Sequence, residues 1–150
     1  MKKIVAALLL LACSPAFIAA QDEITVPADA LTEKVRGFLK KEMRLLADGG
    51  RAVEAALAAG DSATVFAEAE KMHETFVHKD EVTTFDLRIL QAVLGEAFVE
   101  QDKAFHDLVR ELEAAATADD AARQRLLFDQ MLEACAACHK AYAPEAPILD

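Results

Sequence analysis

The chain has 150 residues, 54% of them hydrophobic, and its 16 basic and 26 acidic residues give a formal charge of −10 at pH 7. This length suits a single domain with one core. The acidic balance argues against a nucleic-acid partner, because contacts to phosphates need a basic surface, but it allows docking onto a basic patch of a protein.

Residues 1–20 have the pattern of a signal peptide. Two lysines precede an apolar run that is too short to span a bilayer, and small residues follow up to a predicted cleavage after Ala20. The alternative is a lipoprotein signal, in which Cys13 would be lipidated and anchor the protein. We therefore expect an exported, periplasmic protein. Its mature domain, residues 21–150, holds 14 basic and 26 acidic residues, for a formal charge of −12.

The first half of the mature chain predicts two helices, because glycine and proline are rare and no stretch alternates like a strand. Asp29 is the expected N-cap of the first helix, which runs to about Ala59 and has Gly49-Gly50 as a point of kinking or division. Gly60-Asp61-Ser62 supplies a stop and a new cap. The second helix then spans about residues 63–79.

The second half predicts two more helices. The third is interrupted at Gly95 and ends near Ala116, and the last begins after Asp119 or Asp120 and ends near Tyr142. Four amphipathic helices with short connections predict an all-α, antiparallel four-helix bundle. No apolar run after the leader is long enough to span a membrane, so we expect the mature domain to be soluble unless Cys13 is lipidated.

The run Cys135-Ala136-Ala137-Cys138-His139 predicts a covalent haem attachment site. Two thiols form thioethers with the haem vinyl groups, and the histidine supplies an imidazole to the iron. On a helix, Cys135, Cys138, His139 and Tyr142 share one face. One motif indicates one haem c. The competing interpretations are a redox-active Cys-x-x-Cys and half of a zinc site, but the all-α pattern and the absence of further cysteines in the mature chain disfavour both.

A haem motif on the last helix of a four-helix chain resembles the class II c-type cytochromes, namely cytochrome c-prime and its low-spin relatives. The matching residues are Cys135, Cys138, His139 and Tyr142, whereas Ala143 stands where the family commonly has a basic residue. The resemblance implies a bundle with the haem attached to its C-terminal helix. Dimers are common in that family, and the sequence leaves a homodimer open.

The resemblance also implies where a sixth iron ligand would come from. In the low-spin relatives a methionine on the first helix binds the iron, whereas in cytochrome c-prime an apolar residue leaves the iron five-coordinate and open to NO or CO. Met43 is the only methionine on the first helix, and it lies on an apolar stripe with Leu39 and Leu46 that we expect to face the core. The competing interpretation is a methionine that merely packs.

Arg36 is a candidate partner of a haem propionate. The low-spin pattern has an arginine about one turn before the methionine, but Arg36 lies seven residues before Met43, and Lys40 stands where the ligand would fall. Two turns still leave Arg36 on the same helical face as Met43, from which it would reach a propionate. The competing interpretation is a solvated charge.

Other residues are weaker candidates. His106 or His73 would give bis-histidine ligation together with His139, although packing is the expected role of His73. Met131 is expected to pack beneath the haem. The aromatic side chains that would wall the pocket are Phe98, Phe105, Phe128 and Tyr142.

The sequence therefore predicts an exported monohaem cytochrome that carries single electrons between redox protein partners and is not an enzyme. One alternative is a five-coordinate, cytochrome c-prime-like protein that binds small gases. The other is a helical bundle that binds a partner and holds no haem.

Overall fold

The structure is a computed structural model that describes residues 31–74, 82–146 and 148. Five helices make up this described part, and no strand occurs in it, so the predicted all-α fold is confirmed. The predicted signal peptide and Asp29, the expected N-cap, lie outside the described residues. Within the described ranges no helix has the length and apolar character needed to cross a membrane. The helices are α1 (Glu33–Ala59), α2 (Ser62–Glu74), α3 (Thr84–Leu94), α4 (Glu96–Thr117) and α5 (Ala121–Tyr142).

Helix α1 is one unbroken helix. It begins after Thr32, whose hydroxyl accepts from the backbone N–H of Val35 at 3.3 Å, and it ends at Gly60, where φ is +70°. The expected break at Gly49-Gly50 does not occur. Gly49 instead lets α2 approach closely, because a Cβ at this position would lie 2.5 Å from Cγ of Met72.

The other helix ends follow local capping chemistry. Asp61 accepts from the N–H of Thr64 at 3.1 Å at the start of α2, and Asp120 accepts from the N–H of Arg123 at 3.0 Å at the start of α5. The interrupted third helix is confirmed as α3 and α4. They meet at Gly95, whose φ of +85° and ψ of 172° suit glycine alone.

Helices α1, α2, α4 and α5 form the bundle. Two residues join α1 to α2 and three join α4 to α5, so each pair runs antiparallel. Their buried side chains form a larger core that includes Val53, Val65, Val109, Leu112 and Phe128.

A second, smaller apolar cluster lies where α3 packs against α1 and α4. Its buried members are Leu31 and Val35 near the start of α1, Leu90 and Leu94 of α3, and Phe98 of α4. An ion pair of 2.5 Å between Lys34 and Asp86 also joins α1 to α3. This smaller cluster is the surface against which the end of α5 packs.

Candidate haem attachment site

The last two turns of α5 carry the attachment motif. Cys135, Cys138, His139 and Tyr142 are all half-buried, as expected for residues that share one helical face. Cys135 packs against the larger core, whereas Cys138 and Tyr142 pack against the smaller cluster. The motif therefore lies at the junction of the two apolar clusters.

The two thiols are free and are not joined by a disulfide. Burial and the neighbouring Cys138 raise the pKa of Cys135 to about 11, and burial with the charge of Asp102 raises the pKa of Cys138. A redox-active Cys-x-x-Cys needs the opposite shift, because the thiolate is the attacking species. The environment of these cysteines therefore disfavours the thiol-exchange interpretation.

The ring of His139 contacts the backbone that follows α5. Its Nδ1 lies 3.2 Å from the carbonyl oxygen of Ala146. A turn brings this carbonyl back, since the N–H of Ala146 donates to the carbonyl of Ala143 at 2.9 Å. The sequence predicted the end of this helix near Tyr142 but not the contact with Ala146. Pro144, at the second position of the four-residue turn, was the available signal.

Two of the predicted aromatic residues meet beside the motif. The rings of Phe98 and Tyr142 pack edge to face with their centroids 5.1 Å apart. Phe105 and Phe128 lie in the larger core, against which Cys135 packs. Met131 also belongs to that core, and its position beneath the haem stays a prediction.

The prediction that Met43 faces the core is wrong, because its side chain is 38% exposed. The buried face of α1 instead follows Val35, Glu42, Gly49 and Ala56 at intervals of seven. Met43 is one residue past Glu42 and is therefore rotated by about 100° from that face. Its binding to iron stays a prediction.

A buried polar cluster lies between α1 and α4 and was not foreseen. Glu42 is only 4% exposed, and its Oε1 lies 3.9 Å from Nε2 of His106, which is itself 3.9 Å from Oδ1 of Asp102. Burial and the charge of Glu42 raise the pKa of Asp102 to about 7. Burial, with the charges of His73 and Arg110, lowers the pKa of His106 to about 4.

This cluster is close to the attachment site, because the charge of Asp102 contributes to the raised pKa of Cys138. The spacing of Asp102 and His106, four residues apart on α4, was a signal that they share a face. The burial of Glu42 and the half-burial of Asp102 were hidden by their residue type, since acids at helical positions are usually solvated.

Arg36 and His73 both have protein partners. An Nη of Arg36 donates to the carbonyl oxygen of Leu31 at 3.1 Å, at the edge of the smaller cluster. Its contact with a propionate stays a prediction. Nδ1 of His73 lies 3.2 Å from Oε1 of Glu113, in agreement with the structural role expected for this histidine.

The residues present fit a covalently held haem c. Two protonated thiols and one imidazole lie on one face of α5, which is the donor set that thioether attachment and axial ligation need. Leu132 packs against the same core as Cys135, and Leu39, Ile89 and Val93 pack against the same cluster as Cys138, so apolar side chains are available to a flat porphyrin. Within residues 31–74, 82–146 and 148, no group of three or more histidine, cysteine or acidic side chains is arranged to hold a metal ion.

Comparison with curated proteins gave no match, and comparison with solved structures gave none either. A family model described as Cytochrome C' matches residues 28–143. The matched range spans all five helices and includes the attachment motif. Members of this family bind a covalently attached haem c with iron. The chain therefore belongs to the cytochrome c' family.

Proposed function

We propose that this protein is an exported monohaem c-type cytochrome that carries single electrons between redox partners and catalyses no reaction of its own. The bound haem supplies an iron that cycles between Fe(III) and Fe(II). The observation that carries the proposal is the position of two protonated thiols at the junction of two apolar clusters, with the half-buried His139 next to Cys138 on α5. An apolar surround keeps water away from the iron and limits its reactivity.

Each residue of the site has a proposed role. Cys135 and Cys138 form the thioethers, and His139 is the axial ligand. Tyr142 holds one wall of the pocket through its contact with Phe98. Arg36 is proposed to pair with a haem propionate, since its guanidinium lies at the edge of the cluster that packs against Cys138.

Met43 is proposed as the sixth ligand. Leu39, four residues before it, packs against the smaller cluster that also contacts Cys138. Leu46, three residues after it, packs against the larger core that also contacts Cys135. The contacts of Leu39 and Leu46 support a position of Met43 along α1 at the same height in the bundle as the attachment motif. A thioether ligand raises the reduction potential and closes the iron to gases, which suits electron transfer.

Haem staining of the denatured protein tests the attachment. We expect the wild-type chain, expressed with a haem maturation system, to retain the stain, because thioethers survive denaturation. The double variant Cys135→Ala/Cys138→Ala should lose it. An unstained wild-type chain would support a bundle that binds a partner and holds no haem.

Absorption spectra of wild type and Met43→Ala test the sixth ligand. We expect the oxidised wild type to be low-spin, with the weak far-red band of an iron–methionine bond, and the variant to lose that band and bind CO when reduced. The matched control is Leu45→Ala, on the same helix, since Leu45 is 37% exposed and Met43 is 38% exposed. A high-spin wild type that binds CO without mutation would favour the gas-binding alternative.

Export and docking are further parts of the proposal. The formal charge of −12 on residues 21–150 supports association with a basic patch on a redox partner. Electron transfer to a basic partner should therefore slow as the ionic strength rises.

The mass of the protein recovered from the cell envelope should correspond to a start at Gln21. A lipidated start at Cys13 would favour an anchored form.

A further inference from the structure

The turn after α5 carries the backbone to the ring of the proposed axial ligand. Pro144 has no N–H and cannot continue the helix, and it occupies the second position of a turn that the N–H of Ala146 closes on the carbonyl of Ala143. The N–H of Ala143 donates to the carbonyl of His139 at 2.9 Å. These two bonds tie the turn to the last residues of α5.

The contact between this turn and His139 determines which ring nitrogen carries the proton. A carbonyl oxygen only accepts hydrogen bonds, so Nδ1 of His139, 3.2 Å from the oxygen of Ala146, must be the donor. In a neutral imidazole the lone pair then lies on Nε2. Nε2 is therefore the nitrogen available to bind iron.

We propose that the carbonyl of Ala146 is a positioning group for His139, which fixes the ring tautomer and orientation and strengthens the imidazole as an electron donor to iron. This inference rests on the proposed role of His139 as the axial ligand. A histidine that donates its second N–H to a carbonyl is a more basic ligand. A more basic ligand favours Fe(III), so the contact lowers the reduction potential.

The effect depends on a short piece of chain beyond the attachment motif. The ring of His139 and the carbonyl of Ala146 are seven residues apart, and the turn at Pro144 brings the carbonyl to the ring. Residues 144–146 thus become part of the haem site although they carry no side chain that binds a cofactor.

Two shortened haem-loaded chains test the inference. One ends at Ala143 and lacks the carbonyl of Ala146, whereas the control ends at Pro147 and keeps it. We measure the reduction potential and, by resonance Raman on Met43→Ala versions of these chains, whose ferrous iron we expect to be five-coordinate, the iron–histidine stretch. The chain that ends at Ala143 should have a higher potential and a lower stretching frequency than the control, which should match the full chain.

A variant of the full chain guards against effects of truncation. Pro144→Gly keeps every backbone carbonyl but loosens the turn, so both readouts should move in the same direction by a smaller amount. Circular dichroism checks that the helices remain. An unchanged or lower potential in both altered chains would overturn the inference. If the iron–histidine stretch is absent even from the full-length Met43→Ala protein, the axial role of His139 and this inference both fail, while haem staining still reports the attachment.

Discussion

Nε2 of His106 lies 3.9 Å from Oε1 of Glu42, which brings a histidine and a carboxylate of different helices together in the interior. Asp102 approaches the same nitrogen at 3.9 Å from the preceding turn of α4. The pKa of Asp102 is raised to about 7 and that of His106 is lowered to about 4, mainly by burial in both cases. These opposite shifts predict two opposing contributions to stability as the pH changes.

The stability of the Asp102→Asn variant, compared with that of the wild type, should increase as the pH rises. The folded protein holds the Asp102 proton up to about pH 7, whereas the unfolded chain releases it near 3.8, so this acid destabilises the fold increasingly across that interval. The slope for one proton is at most about 1.4 kcal/mol per pH unit. Denaturant unfolding of wild type and variant at several pH values measures it.

Glu100→Gln is the control for that comparison, because Glu100 also lies on α4 and is exposed. The stability of the Glu100 variant should follow that of the wild type across the same pH range. If Asp102→Asn behaves in the same way, the half-buried position of Asp102 is contradicted.

The change His106→Leu should remove the opposite contribution. In the wild type the unfolded chain binds the His106 proton below about pH 6.5 but the folded protein only below about 4, so this residue stabilises the fold as the pH rises through that window. Relative to the wild type, the unfolding free energy of the variant should therefore decrease as the pH rises from about 4 to 6.5. A variant whose stability follows that of the wild type across this window would contradict the assignment.

The change Gly49→Ala should destabilise the protein. Its Cβ would lie 2.5 Å from Cγ and 2.8 Å from Sδ of Met72, which is buried against α1, so the two helices would have to separate or Met72 would have to move. Overpacking of this kind costs about 1–3 kcal/mol. The midpoint of chemical denaturation measures the change.

Gly37→Ala on the same helix is the matched control, because no atom lies within 4 Å of its built Cβ. This change should stabilise the protein by about 0.5–1 kcal/mol, since alanine loses less entropy than glycine in a helix. Equal responses of the two variants would show that α1 and α2 are not in close contact at Gly49.

The change Gly95→Ala should cost about 1–3 kcal/mol through backbone strain alone. Gly95 has a φ of +85° and a ψ of 172°, and no atom crowds its built Cβ. Gly60→Asn is the comparison, because Gly60 has the left-handed conformation, φ +70° and ψ 28°, that asparagine tolerates. Thermal unfolding of the two variants should show the larger loss at Gly95, and the reverse order would contradict the break between α3 and α4.

The helices and the attachment motif were predictable because they depend on local chemistry. Gly60, Gly95 and Asp120 end or begin helices through their own conformations and side chains. The Cys135–His139 motif is local in the same sense, since the chemistry of thioether attachment dictates its spacing. The resemblance to class II cytochromes is confirmed by the family match over residues 28–143.

The interior of the site was not predictable in the same way, because it depends on neighbours from other helices. Met43 was expected inside because it is apolar, yet Glu42 takes the inward position and lies near His106 of α4. Burial of a carboxylate can be tolerated only where a second helix supplies a partner, and no local sequence pattern predicts that partner. The carbonyl of Ala146 was missed for a related reason, since every residue has a carbonyl and only the turn gives this one a role.

The larger core has a consequence for the order in which the protein matures. Its buried residues run from Val53 to Met131, so all of them precede Cys135 in the chain. Because synthesis starts at the N-terminus, every buried member of that core is made before either attachment thiol. Haem attachment therefore acts on a segment that is synthesised after the buried residues of the larger core.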